Sequence, residues 1–259
     1  MVIKRQRDNP GNEEAPRLCL VFAPGTRPDL AALATLAGTS GGAPGSDFSV
    51  SHSGGRGEWA ELLVDGLTFD CTGLAPGPDQ PQPPVGLPVG LRSMPAGEVL
   101  AVVPGPHLAG GAGVLPVLRG IAGLGARLAT LPGVLAVVWT PAAAWVAPEL
   151  FQRSVDEWLS GGAFPALVLI ALERERNGAM ASRGLQLLTG QELRFEPDKR
   201  MQSAAMARLA VRLVHELVHA EPLTEHRDFE GPGGEHLLAV PVRGGTQIRI
   251  LLSGLGPSQ

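Results

Sequence analysis

The chain has no tyrosine, and aromatic residues make up only 4% of its 259 positions. A core without many rings must take its volume from Leu, Val and Ala. Charged residues are also sparse, at 18%, and the formal net charge is −4. The longest basic run is Lys4-Arg5-Gln6-Arg7, with no aromatic residues interleaved, so the electrostatic and stacking footprints of a nucleic-acid binder are missing. The only cysteines are Cys19 and Cys71, too few for a cysteine metal cage. Both lie in apolar, strand-like runs and read as buried thiols rather than a disulfide.

Residues 1–16 lack the apolar stretch of a signal peptide and read as a disordered tail. Residues 128–148 are uncharged and long enough to suggest a membrane span, but Pro132, Pro141 and Pro148 interrupt them. A buried strand flanked by turns accounts for them better. These readings predict a cytoplasmic protein that uses neither membrane nor nucleic acid.

What is present is an apolar fraction of 44%, ample for a core, with 35 glycines and 24 prolines that imply long loops. Strands are predicted over residues 17–23, 98–103, Val134–Trp139 and 166–172, with one or two more over 184–195. Asp65-Gly66 between Trp59–Val64 and residues 67–71 signals a tight hairpin. Residues 237–242 and 247–252 form a second hairpin. Helices are predicted over residues 28–37, over 113–131 with a looseness imparted by its glycines, over Pro148–Leu159, and over 200–220. The mixture predicts an α+β fold: mixed or antiparallel sheets with helices packed on one face, as one unit or as two similar-sized subdomains. The expected divisions are a tail over 1–16, an N-terminal α/β unit over 17–74, a Pro-rich linker or loop over 75–94, and a C-terminal α+β unit over 95–253.

One stretch has the form of a catalytic motif. In His215-Glu216-Leu217-Val218-His219 the two histidines could bind zinc, with Glu216 as the general base of a hydrolase. The helix that carries it weighs against this. At about 100° per residue, Met206, Leu209, Ala210, Leu213, Val214, Leu217 and Val218 form an apolar arc, and both histidines fall on the opposite face with Arg208 and Arg212. Two guanidinium groups oppose a dication, and a polar stripe is the simpler reading. Glu225 and His226 follow near the spacing of a third ligand, without the glycine that would turn the chain. Two other patterns lack their required context. Gly38-Thr39-Ser40-Gly41-Gly42 follows a helix where a nucleophile elbow needs a strand. Gly110-Gly111-Ala112-Gly113 lacks the Lys-Ser/Thr of a phosphate-binding loop.

The apolar run over 166–173, the stretch RGLQLLTGQELRF over 183–195, the helix to His219 and the terminal hairpin together resemble bacterial proteins of the domain-of-unknown-function 4261 family. Thr189-Gly190-Gln191-Glu192-Leu193 matches that family's strand-turn-strand with its acidic residue. Strands 98–103 and Val134–Trp139 and the helix start Pro148-Glu149-Leu150-Phe151 keep its order, so the resemblance spans about residues 95–253, with a further match over 17–71. It implies an accessory or immunity-type protein of the kind found beside secreted toxins, and it brings neither catalytic residues nor a zinc motif at His215 and His219. The expectation is therefore a non-enzymatic, cofactor-free protein whose partner is another protein. The alternative is a zinc-dependent hydrolase using His215, Glu216 and His219.

Overall fold

A computed structural model describes residues 17–39, 41–76 and 81–254. The expected tail and Ser40 lie outside the described residues. In chain order the first elements are β1 (Leu18–Phe22), α1 (Leu30–Ala37), β2 (Ser49–Ser53), β3 (Trp59–Val64), β4 (Leu67–Thr72), β5 (Leu87–Val89) and β6 (Glu98–Pro104). Then come α2 (Leu115–Leu128), β7 (Val134–Trp139), β8 (Ala144–Val146), α3 (Pro148–Leu159), α4 (Ala166–Leu169), β9 (Ala171–Arg174) and β10 (Met180–Arg183). The chain continues through α5 (Gln186–Thr189), β11 (Glu192–Phe195), α6 (Ser203–Val218), β12 (Arg227–Glu230), β13 (His236–Val242) and β14 (Gln247–Gly254). The fold is α+β. An eight-stranded sheet has the order β2-β3-β4-β6-β1-β7-β8-β5, and a six-stranded one has the order β12-β13-β14-β11-β10-β9. All pairings are antiparallel except β5–β8 and β11–β14, which are parallel.

β1 is central in the first sheet, and all five of its residues are buried. Successive side chains alternate faces. Leu18, Leu20 and Phe22 join the main core under α2 and α3, which also takes in the inner face of the second sheet and α6. Cys19 and Val21 point the other way, into a smaller cluster with Val99, Ala101, Ala136, Val138 and Trp145. Cys71 lies in the main core, so the sheet separates the two thiols and no disulfide joins them. Burial pushes the Cys71 thiol pKa up.

α2 is buried nearly all round, and its glycines are what allow it. A Cβ on Gly120 would stand 2.9 Å from the Phe69 ring of β4. The helix therefore sits closer to the strands than alanine would permit. The β3–β4 turn places Asp65 and Gly66 at φ 45° and 81°, the two left-handed positions of a type I′ hairpin.

The Pro-rich stretch does not divide the chain into separate units. β5 lies at the sheet edge beside β8, the Trp145 indole donates to the Pro84 carbonyl at 2.9 Å, and Leu91 packs on the smaller cluster. β6, from the expected C-terminal unit, sits between β1 and β4. Proline is poorly suited to a central strand but is tolerated at an edge. Two predicted strands also begin as helix. Residues 166–169 make one turn after Pro165, and 186–189 make one before Gly190 reverses the chain at φ 74°. A short apolar run has no period that separates the two outcomes. No helix of the described residues is long and apolar enough to cross a membrane.

Candidate functional site

α6 buries Met206, Leu209, Ala210, Leu213, Val214, Leu217 and Val218, the arc expected from its period. His219 is the exposed C-cap. His215 is half-buried, with its ring edge-on to Phe164 at 6.3 Å and 86°. Burial, and then the neighbouring His219, hold its pKa below the ordinary imidazole value. Glu216 is exposed and pairs with Arg212 one turn back at 3.3 Å. Glu225 and His226 are exposed in the loop that follows. Among the described residues, no group of three or more His, Cys, Asp or Glu side chains is placed to hold a metal ion. The motif thus supplies one half-buried imidazole against an aromatic ring, one exposed imidazole, and a carboxylate already engaged by a guanidinium.

The Thr189-to-Glu192 stretch is committed to structure. The Gln191 side chain is buried; its amide donates to the Leu223 and Gly245 carbonyls at 2.8 and 2.7 Å and accepts from the Leu223 N–H at 2.8 Å. It ties two loops to the start of β11. The Glu192 carboxylate accepts from the Ser182 hydroxyl and from the Gly184 and Gln186 N–H groups, holding the turn that leads into α5. None of these polar groups remains for a ligand.

The Gly110–Gly113 loop borders a crevice of about 480 Å³ shared with Leu115, Leu187 and Val218, and no charged side chain lines it. A Cβ on Gly113 would lie 2.0 Å from the Leu187 carbonyl, so that glycine serves close packing.

The constellation that sequence reading missed is on the first sheet. Its outer face divides in two. Over β6, β1, β7 and β8 the smaller cluster is buried, with the 84–91 stretch against it. Over β2, β3 and β4 the face is open. Ala60, Leu62 and Val64 are buried on the inner side, whereas Trp59, Glu61 and Leu63 alternate with them half-exposed. Register puts Glu61 opposite Asp70, Asp70 opposite Val103, and His52 opposite Glu61. Glu61 accepts from the Ser51 hydroxyl at 2.6 Å and meets His52 Nδ1 at 3.0 Å, and these bonds lower its pKa. Asp70 makes no hydrogen bond through its carboxylate among the described residues. Desolvation first, and then Glu61, raise its pKa, while His107 acts in the opposite sense. His107 itself stands 3.5 Å from Thr68 of the same face. The result is an open shelf of Trp59, Leu63 and Val103 with a carboxylate pair at its centre. Period-2 alternation was readable in β3, but both parities are apolar apart from Glu61, so the pattern did not say which side was covered.

No protein-family model matches the chain, and no curated protein or solved structure does so either.

Proposed function

We propose that this chain is a non-enzymatic, cytoplasmic protein-binding protein of accessory or immunity type, and that its partner is a protein seated on the open half of the first sheet. The observation that carries the reading is that half-face. A sheet face is normally covered when it holds Trp and Leu; here Trp59, Leu63 and Val103 stay partly exposed while the same sheet is covered beyond β6. The commitment of Gln191, Glu192 and Glu216 to structural bonds supports a role without catalysis. So does the resemblance to the domain-of-unknown-function 4261 family.

A photo-crosslinking residue in place of Leu63 tests this in the native host. A discrete adduct is expected from position 63, and none from Glu157 on the exposed side of α3. Absence of any adduct at 63 in cells that express the chain overturns the reading.

A further inference from the structure

The open half-face carries a charge arrangement that its own residues do not complete. Glu61 and Asp70 face each other across adjacent strands. Like charges placed directly opposite destabilise a sheet. Among the described residues, the basic groups that act on the pair are the imidazoles of His52 and His107, with no ammonium or guanidinium beside them. His52 is itself 75% exposed, so water weakens its pull on the pair. Glu61 has a structural use, since it holds the bulged β2 strand through Ser51 and His52. Asp70 has none visible. The flanking Trp59 and Leu63 are partly exposed aromatic and aliphatic side chains on either side of Glu61, surroundings that suit a long cationic side chain.

We infer that the open half-face takes a Lys- or Arg-bearing segment of the partner protein, with its cation at Glu61 and Asp70 and its aliphatic stem against Trp59 or Leu63. This rests on the surface proposed above for the partner and adds its chemistry. A bound cation relieves the cross-strand repulsion. Complementary charge also speeds encounter and makes it salt-sensitive.

The probe is a capped tri-arginine peptide titrated into the full-length chain and followed residue by residue by NMR, with capped tri-glutamate as control. Shifts are expected to centre on Trp59, Glu61 and Asp70. Asp70→Asn and Glu61→Gln are each expected to weaken the peptide by about threefold, the scale of one partly exposed ion pair. Glu149→Gln, an exposed acid on α3, is expected to leave it unchanged. Shifts spread evenly over the surface, or affinity indifferent to Asp70→Asn in a folded variant, overturn the inference. So does tighter peptide binding after Lys4, Arg5 and Arg7 are all replaced by Ser, since the chain's own basic run would then be the occupant. If the position-63 adduct forms but is insensitive to Asp70→Asn, the binding surface stands and the cationic partner falls.

Discussion

At the scale of single residues, the polar side chains divide into those with complete bonding and those without. Gln191 is complete: three bonds from one amide, all to backbone groups of distant loops. Gln191→Ala leaves those groups unsatisfied and is expected to cost about 1–3 kcal/mol, measurable by urea denaturation. His215 gives a pH-dependent contribution. Its folded pKa lies below the ordinary value of 6.5, so the unfolded chain takes up the proton first. Its contribution is whole above that value and declines as pH falls toward the lowered folded pKa. Stability curves at about pH 7.5 and about pH 5.5 should show a drop in the wild type that His215→Gln reduces. An equal drop in both would show that the effect does not come from His215. The expectation that both histidines are simply solvated holds for His219; for His215 the ring of Phe164 makes the difference.

At the scale of elements, helix period was the strongest signal in the sequence. The seven positions of the apolar arc of α6 are its seven buried ones because one amphipathic stripe meets one core. Leu213, 3% exposed, lies within that stripe. Leu213→Ala is expected to cost about 2–5 kcal/mol in chemical denaturation, through lost burial and the cavity left behind. α2 shows where period and propensity mislead. Its glycines read as looseness, yet ten of its fourteen residues are buried. An exposed helical Gly→Ala change usually stabilises by up to about 1 kcal/mol. Gly120→Ala should instead destabilise by about 1–3 kcal/mol, because the buried Phe69 ring has nowhere to move. A rise in melting temperature would show that the ring gives way.

At the scale of the whole molecule, the sheet edges are closed to further pairing by different means. β12 and β9 carry charged residues, and β2 is bulged. β5 is the apolar edge. The Leu87 N–H and Val89 carbonyl are both engaged toward the β8 side, which leaves Pro88 facing outward without an N–H to offer. Leu87 beside it is 38% exposed. Pro88→Val restores the outward donor next to that apolar residue. It is expected to promote self-association, seen as a concentration-dependent shift in sedimentation velocity that the wild type lacks.

Local sequence was enough to establish the α+β class, both hairpins, the main helices, the buried strand Val134–Trp139 and the inward face of α6. Each follows from local turn chemistry or from a period that repeats over several residues. The Asp65-Gly66 turn also sets Glu61 opposite Asp70. Only the assembled fold reveals that the Pro-rich stretch straps the first sheet, that β6 joins β1 to β4, and that the Glu61–Asp70 face is left open. Those outcomes depend on which distant strands become neighbours. Cross-strand partners such as Asp70 and Val103 lie too far apart in the chain for any local pattern to register them.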